Sequence, residues 1–507
     1  MYKIKRRLIG FTCLITLIGC VGCDTGKGGK SDSIELTWYV EKFHHVGKVA
    51  SSFADTELYK ELMKRCNVKI EFIHPSGGVS METLKAISDL PDLIEGDFRM
   101  YPGGVQAAID DGTIIELDDY LEQYSPDYLK VLEAHPEWDR DVTTDSGAHY
   151  TYANIRGDEC LLYWWGPIIR KDLLEKFNLK VPVTVDDWEV MLNVFKENGV
   201  RYPLSFEKGE LFRCCLMSAF GVGERFYQID GIVKYAPLED GYLEYITMLK
   251  RWYDNGLIDP NFFSQSEEML EYKVKNGDVG AFIGSAGGNM GKCIPGLRLI
   301  GGSLMGVSIP VLNEGDAVFQ STRDSYYQPF TSVSISGDCK NIEAAASLLN
   351  YGYTEEGHML YNFGIEGVSY QMKDGYPYYT DVITKNPKGL SMQHAMSIYM
   401  SSAYGGPFIQ DKREYEQYLL NHEQMEAAKE WSKAKQDHRI PKGAVAIGVD
   451  KEEQIINNYA YEQSIKFVVG ERSIEEYEQF VAEIKELGVE NVINAMQEAL
   501  KRYNNKQ

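Results

Sequence analysis

Alternating apolar and polar residues indicate three short strands near the start of the chain, at 34–40, 68–73 and 90–94. Between them, at 56–66 and 81–87, apolar residues recur with the spacing of a helix that buries one face. Strands and helices therefore alternate, and this order predicts a parallel sheet with crossover helices. Ligands of such sheets bind beyond the carboxyl ends of the strands, so the residues after the first and third strands are candidate site positions.

The pattern continues along the rest of the chain. Further strands are predicted at 161–165, 279–283, 306–310 and 330–336. Further helices are predicted at 170–177, 185–197, 241–254, 342–349, 473–487 and 491–503. The chain is long enough for two domains or two large lobes, each with its own core.

The first residues have the pattern of an export signal. Basic residues at 3–7 precede an apolar stretch at 8–18, which is too short to span a membrane. The sequence Leu-Ile-Gly-Cys ending at Cys20 resembles a bacterial lipobox, in which the cysteine thiol accepts a lipid. We therefore expect a signal peptide at 1–19, a lipidated N-terminus with a flexible tether at 20–33, and a protein anchored on the outer face of the cell membrane. Cys23 is the weaker candidate for lipidation, and an ordinary cleaved signal is the alternative.

Charge narrows the classes of partner. The chain has 75 acidic and 52 basic residues, a formal net charge of −23. Nucleic-acid binding depends on cations that neutralise phosphates, so this balance argues against nucleic acid. It also argues against direct docking on anionic lipid headgroups, and it suits a domain held away from the membrane by a tether.

Cysteine and histidine give no sign of a metal site. Beyond the signal, the cysteines are Cys66, Cys160, Cys214, Cys215, Cys293 and Cys339. They lack paired Cys-x-x-Cys spacing, and the chain has no His-Glu-x-x-His. We expect buried free thiols, with one disulfide left open, and we predict no cofactor and no metal. Carboxylates distant in sequence remain an alternative source of cation ligands.

Several segments together resemble the extracellular solute-binding proteins, family 1, of ABC importers, in particular the long carbohydrate-type lipoproteins of Gram-positive bacteria. The segments are Ser-Asp-Leu-Pro-Asp-Leu-Ile at 88–94, Asp-Gly-Thr-Ile-Ile-Glu-Leu-Asp-Asp-Tyr at 111–120, Arg-Lys-Asp-Leu-Leu at 170–174, Gly-Leu-Ile-Asp-Pro-Asn-Phe-Phe at 256–263, Gly-Asp-Val-Gly-Ala-Phe at 277–282, Glu-Ala-Ala-Ala-Ser-Leu-Leu-Asn-Tyr at 343–351, Gly-Ile-Glu-Gly-Val-Ser-Tyr at 364–370 and Asp-Gly-Tyr-Pro-Tyr-Tyr at 374–379. Each is weak alone, and their number and order carry the resemblance over nearly the whole mature chain.

The resemblance implies an α/β, two-lobed, periplasmic-binding-protein-like fold of type II, with parallel-type sheets flanked by helices and a hinge of crossing segments. The first lobe is expected at 31–152 and 332–390, and the second at 153–331 and 391–507. Crossing segments are expected at 149–156 and 330–336. The implied protein is a monomer that delivers a sugar, specifically an oligosaccharide, to the permease subunits of an ABC transporter.

Aromatic residues supply the candidate ligand platforms. Sugar rings present apolar faces that stack on Trp and Tyr, while carboxylates and amides bind the hydroxyls. Trp38, Trp164 and Trp165 lie at predicted strand ends, whereas Trp188, Trp252 and Trp431 lie on helix patterns and are expected in the core. The family places a polar contact after the Pro-Asp strand, which corresponds to Asp97. The remaining candidates are Glu41, Phe206, Ser285, Tyr326 and Tyr370.

Two other functions have to be weighed. An amino-acid or peptide binder would need a cation for the ligand carboxylate, and the candidates are Arg99, Arg156, Arg170 and Arg323. A secreted carbohydrate-active enzyme would need paired carboxylates, and no spacing singles out a pair. Nucleophile-elbow, Walker and dinucleotide-binding motifs are absent. The sequence therefore favours a binding protein over an enzyme.

Overall fold

The structure is a computed structural model that describes residues 33–213, 215–319, 324–402, 404–434 and 437–506. The predicted signal peptide, the tether and Cys20 lie outside these residues, as does Arg323. In the part of the chain that is described, no helix has the length and apolar character needed to cross a membrane.

The first sheet confirms the parallel strands predicted for the N-terminal residues. Its strands lie in the order Val333–Ile335, Leu93–Glu95, Ile34–Tyr39 and Val68–Ile73. The three N-terminal strands are parallel, and Val333–Ile335 returns antiparallel to Leu93–Glu95. The helix Glu57–Cys66 makes the first crossover, with the Thr56 hydroxyl accepting from the Tyr59 amide at its N-terminus.

The second sheet is mixed rather than parallel. Its strands lie in the order Leu304–Gly306, Trp165–Arg170, Val279–Ser285 and Tyr202–Ser205. Only Tyr202–Ser205 runs parallel to its neighbour Val279–Ser285, and the other two pairings are antiparallel.

Two predicted strands of this second sheet are displaced. The run at 161–165 is not a strand, because a 3-10 helix Glu159–Leu162 precedes the strand Trp165–Arg170. Asp158 starts that helix by accepting from the Cys160 amide at 3.0 Å. The strand predicted at 306–310 lies at Leu304–Gly306. Apolar runs show that a segment is buried, and they do not show that it is extended.

Two hairpins stand apart from the sheets, Phe226–Ile229 with Ile232–Tyr235 and Tyr370–Lys373 with Tyr376–Tyr379. The α-helices are His44–Gly47, Glu57–Cys66, Met81–Leu84, Gly104–Asp110, Asp118–Tyr124, Pro126–Ala134, Pro136–Asp141, Lys171–Lys176, Val185–Glu197, Glu210–Arg213, Asp240–Asp254, Glu267–Lys275, Gly291–Arg298, Ile342–Asn350, Glu355–Phe363, Asp381–Thr384, Met392–Tyr399, Lys412–Tyr418, His422–Trp431, Asp450–Val469, Tyr477–Glu486 and Val489–Asn505.

Each sheet carries its own hydrophobic core, which gives the fold its two lobes. The second core includes Trp188 and Trp252, and the C-terminal helices add Phe467 and Phe480 to it. Trp188, Trp252 and Trp431 are all buried, which confirms their assignment to core positions. Two side chains from the segment expected in the second lobe, at 404 and 408, pack in the first core instead. The chain therefore returns to the first lobe beyond residue 390, because these rings complete the packing around its sheet.

Three segments of the chain run side by side along the first core. Tyr152 and Val333 exchange backbone hydrogen bonds of 2.7 and 3.0 Å. The strand Ile155–Arg156 pairs in parallel with Ile409–Gln410, and this second pairing was not expected from the sequence. The approach beside it is close, since a Cβ at Gly157 would lie 2.5 Å from a methyl carbon of the Ile409 side chain.

Cys66, Cys160, Cys293 and Cys339 carry free thiols. Cys215, Cys293 and Cys339 are buried, whereas Cys66 and Cys160 are half-buried. The disulfide left open by the sequence therefore does not involve Cys66, Cys160, Cys293 or Cys339. Cys214 lies outside the residues described.

Candidate functional site

A cavity of about 250 Å³ lies beside the paired crossing strands, somewhat below the 300–1,000 Å³ common for ligand pockets. It takes one wall from the end of the second sheet and others from the helices Met392–Tyr399 and Lys412–Tyr418. The lining residues are Arg156, Leu161, Trp164, Ser285, Gly287, Gly288, Gln393, Met396, Ser402, Gln410, Glu414, Tyr415 and Tyr418.

The wall from the second sheet is a turn that begins at Ser285. The strand Val279–Ser285 runs directly into a π-helical turn, Ala286–Met290. The Ser285 hydroxyl accepts from the amides of Gly288 and Asn289 at 3.1 and 3.0 Å, and its own amide donates to Asn289 Oδ1 at 2.9 Å. A Cβ at position 287 would lie 2.6 Å from the Tyr418 ring, so glycine is what allows this ring to close over the turn.

The neighbouring tryptophans occupy different surroundings. Trp164 is half-buried and lines the cavity, and its Nε1 donates to Asp324 Oδ2 at 3.3 Å. Trp165 is 8% exposed, and the Arg213 guanidinium lies 5.0 Å from its ring centre. The two rings meet edge to face at 5.7 Å. Of the two tryptophans, only Trp164 lines the cavity.

The crossing strands and the following helix supply the polar groups. Gln410 Nε2 donates to Glu414 Oε2 at 3.1 Å, and the Glu414 side chain is buried. Burial raises the pKa of Glu414 to about 8, so its carboxyl is mostly uncharged at neutral pH. Arg156 donates to the Leu161 carbonyl at 2.7 Å and pairs with Asp324 at 2.9 Å. Burial alone would raise the pKa of Asp324, but the charges of Arg156 and Lys442 lower it to about 2.

This set of groups is suited to an uncharged hydroxylated ligand. Trp164 and two tyrosines provide aromatic surface, and two glutamines and an uncharged carboxyl both donate and accept hydrogen bonds. The one cation in the lining is already neutralised by Asp324. Among the residues described, no three His, Cys, Asp or Glu side chains are grouped closely enough to hold a metal ion.

Three predicted site residues are core residues. Trp38 is fully buried, with Phe72 stacked at 5.6 Å and Tyr59 edge-on at 5.9 Å. Phe206 is fully buried against Phe262, and Tyr370 is 5% exposed and packs near Phe363. Their rings fill the interior of a lobe, so they are poor candidates for ligand contacts.

Glu41, Asp97 and Tyr326 also lie outside the cavity lining. Glu41 is exposed after the first strand. Asp97 is buried, and it accepts from the Arg99 amide at 3.1 Å and from Arg99 Nε at 2.7 Å. Tyr326 is half-buried and packs 5.6 Å from Trp138. Of the nine predicted ligand residues, the structure thus brings Trp164 and Ser285 together at the cavity.

The arginines needed by an amino-acid binder are already paired. Arg99 is bound to Asp97, Arg156 to Asp324, and Arg170 to Asp172. A ligand carboxylate would have to compete with each of these protein carboxylates. Arg323, the fourth candidate, lies outside the residues described.

Sequence reasoning missed most of the lining. Its members from the C-terminal half of the chain that were not singled out in the sequence include Gln393, Gln410, Glu414, Tyr415 and Tyr418. Only tertiary contacts reveal that these residues face a cavity. The glycine pair after the strand Val279–Ser285 is different, because glycines directly after a buried strand signal a close approach and could have been recognised.

No family model matches the chain. The fructooligosaccharide ABC transporter substrate-binding protein FusA of Streptococcus pneumoniae is 31% identical over 198 residues, which are 34% of this chain and 36% of the relative. The polygalacturonan/rhamnogalacturonan-binding protein YtcQ of Bacillus subtilis is 23% identical over 53% of this chain and 54% of its own length. The chain thus spans between about a third and about half of the length of these curated relatives.

Solved structures match over more of the chain. An HMO-binding solute-binding protein associated with an ABC transporter of Bifidobacterium longum infantis superposes with a TM-score of 0.76 at 18% identity, covering 93% of this chain and 99% of its own. The alginate-binding protein AlgQ2 gives 0.71 at 20% identity over 93% and 99% of the two chains. FusA in complex with kestose gives 0.70 at 18% identity over 93% and 100%. These likenesses show the two-lobed solute-binding fold. In fold, the chain is therefore similar to the extracellular solute-binding proteins of ABC transporters, and in sequence it is similar to the curated relatives over part of its length.

Proposed function

We propose that this protein is the ligand-capturing component of an ABC importer and that it binds an oligosaccharide in the cavity beside the crossing strands. The observation that carries the proposal is the lining itself, in which Trp164 lies with uncharged hydrogen-bonding groups and one neutralised cation. The relatives FusA and YtcQ are named for fructooligosaccharides and for pectin-type polymers, which supports a sugar as the ligand class. Since these relatives are binding proteins, the proposed role is capture without catalysis.

The walls of the cavity suggest how capture is signalled. Trp164 and Ser285 come from the end of the second sheet, whereas Gln393 and Met396 come from the helix Met392–Tyr399. That helix packs against the helices His44–Gly47 and Glu57–Cys66, which follow strands of the first sheet or join them. A ligand that contacts both walls favours the closed arrangement of the lobes by its differential affinity, and a permease can recognise that arrangement.

Thermal unfolding with a ligand panel tests the proposed ligand class. Kestose, oligogalacturonides, human milk oligosaccharides, monosaccharides and dipeptides are each added at the same concentrations. A ligand that binds only the native state raises the Tm. At a ligand concentration of a hundred times its Kd, the free energy of unfolding increases by about 2.7 kcal/mol. We expect a shift with at least one oligosaccharide. A shift confined to dipeptides or amino acids would establish the alternative ligand class.

The membrane anchor has its own test. We propose that Cys20 is lipidated and holds the protein on the outer face of the cell membrane, because Cys20 ends a Leu-Ile-Gly-Cys sequence after a short apolar stretch. In cells grown with a labelled fatty acid, the wild-type protein and the control Cys23→Ala should carry equal amounts of label, and Cys20→Ala should carry none. Full labelling of Cys20→Ala together with its loss in Cys23→Ala would move the anchor to Cys23.

A further inference from the structure

Glu414 is an unusual carboxyl for the wall of a ligand cavity. It lies in the first turn of the helix Lys412–Tyr418, it lines the cavity, and it is only 3% exposed. The hydrogen bond that the structure gives its carboxyl comes from Gln410 Nε2, at 3.1 Å. Lys and Arg side chains make no ion pair with it among the residues described, whereas Asp411 on the same helix pairs with Arg413 and His358.

The groups around Glu414 explain why its proton is held. Asp411 lies one turn earlier, Tyr418 one turn later, and Arg156 faces it from the crossing strand. Burial alone would raise the pKa of Asp411, but hydrogen bonds from His358 and Arg413 keep it well below its usual range. Asp411 is therefore a fixed negative charge that adds to the effect of burial on Glu414.

The tyrosines that face Glu414 do not titrate in the same range. Burial raises the pKa of Tyr379, which faces Glu414 from the strand Tyr376–Tyr379. Burial likewise raises the pKa of Tyr415 and Tyr418. The other charged group that faces Glu414 is the guanidinium of Arg156, and guanidinium groups are not deprotonated in proteins. Glu414 is therefore the group in its immediate surroundings whose charge changes on the mildly alkaline side of neutrality.

On the assumption that the cavity is the sugar site proposed above, we propose that Glu414 acts as a carboxylic acid that donates a hydrogen bond to an oxygen of the bound sugar. Glu414 thereby selects ligands that need no buried counter-charge from the protein. An uncharged carboxyl both donates and accepts, as sugar hydroxyls do, whereas an ionised one only accepts. Covering an ionised Glu414 with a ligand would also remove its remaining contact with water, which is costly for an unpaired charge.

The sign of the pH effect follows from this proton. The ligand binds the form of the protein in which Glu414 is protonated. Affinity is therefore highest below the pKa of Glu414 in the ligand-free protein, and it falls as the pH rises through about 8. If the complex keeps the proton, affinity decreases about tenfold between pH 7 and pH 9. Asp411 and the three tyrosines keep their charge state over this interval.

Calorimetry between pH 6.5 and 9.5 tests the ligand contact, with the oligosaccharide of the panel that binds the wild type most tightly. Glu414→Gln is uncharged at every pH and keeps a donor and an acceptor, so it should bind within about threefold of the wild type at pH 7 and show no decline by pH 9. Glu414→Leu cannot donate and should bind about tenfold more weakly at pH 7 while remaining folded. The control Glu426→Gln, at an exposed position of the helix His422–Trp431, should follow the wild type.

Infrared difference spectra of the free protein separate this inference from the proposed function. Burial also raises the pKa of Glu95 and of Glu210, and these carboxyls contribute equally to both proteins. A protonated carboxyl band that the wild type shows in excess of Glu414→Gln should therefore be present at pH 6.5 and disappear by pH 9.5. Absence of that band in the wild type would overturn the inference even if oligosaccharides bind. Parallel pH profiles for the wild type and Glu414→Gln would overturn it too. A wild type that shows the band and binds no sugar of the panel would instead refute the proposed function, and the ligand contact with it.

Discussion

Trp38 and Trp164 are equally good ligand candidates in the sequence, but their surroundings in the structure differ. Each lies near the end of a predicted strand at the edge where ligands of such sheets bind. Trp38 is inside its strand, paired in register with Phe72 and Leu93, and is fully buried. Trp164 precedes its strand, is half-buried, and lines the cavity. Position along a strand thus locates a residue at the correct edge of the sheet, but the packing of the neighbouring elements decides which rings remain available to a ligand.

The same contrast distinguishes the two sheets. In the first sheet, the face that carries Leu36 and Trp38 is covered by the helix Glu57–Cys66, whose Tyr59 and Leu62 belong to the same core. In the second sheet, the strand Trp165–Arg170 runs antiparallel to Val279–Ser285. Its first residue is therefore paired with Ser285 at the carboxyl end of that strand. An antiparallel strand brings its amino end to the binding edge, which a wholly parallel sheet could not do.

The largest effect should come from truncating the core tryptophan. Trp38→Ala removes a fully buried ring from between Tyr59 and Phe72, so the free energy of unfolding should fall by about 3–5 kcal/mol. Denaturant unfolding measures this loss. The folded fraction should bind the ligand with unchanged Kd. The comparison would fail if Trp38→Ala kept its stability and lost its ligand.

Truncating the cavity tryptophan should have the opposite outcome. Trp164→Ala removes aromatic surface from the lining, and the binding free energy should weaken by about 1.5–3 kcal/mol, or about ten- to a hundredfold in Kd. Calorimetry with the best oligosaccharide of the panel measures the change, and Tyr272→Ala, at a position 68% exposed, serves as a control that should alter neither binding nor stability. An unchanged Kd for Trp164→Ala would place the stacking surface elsewhere.

A smaller change separates the ring of Trp164 from its N–H group. Trp164→Phe keeps an aromatic face but loses the hydrogen bond from Nε1 to Asp324, which spans 3.3 Å. The expected loss of binding free energy is about 0.5–1.5 kcal/mol, the value of one typical hydrogen bond, because the removed bond is long and only orients the ring, while Asp324 keeps Arg156. Titration of Trp164→Phe beside Trp164→Ala measures the difference. Equal losses in the two variants would mean that orientation by Asp324, and not the ring, dominates the contribution of Trp164.

Much of the architecture was predictable because it depends on local periodicity. The strands Ile34–Tyr39 and Val68–Ile73 and the helix Val185–Glu197 lie where alternation and helical spacing predicted them. That helix begins after Thr184, whose hydroxyl accepts from the Asp187 amide. The displaced strands near 161–165 and 306–310 belong to the mixed sheet, where burial on both faces removes the alternation.

The sequence by itself indicated the alternating order of strands and helices, the export pattern at 1–19, the argument against nucleic acid and anionic lipid as partners, and the family resemblance. Tertiary structure alone decided the site. Arg156 and Gln410 are more than 250 residues apart and meet because the strands Ile155–Arg156 and Ile409–Gln410 pair. Glu414 keeps its proton because helices distant in sequence exclude water from it. Periodicity reports which face of an element is buried, whereas a cavity is a space that several elements leave unfilled, and no single segment encodes it.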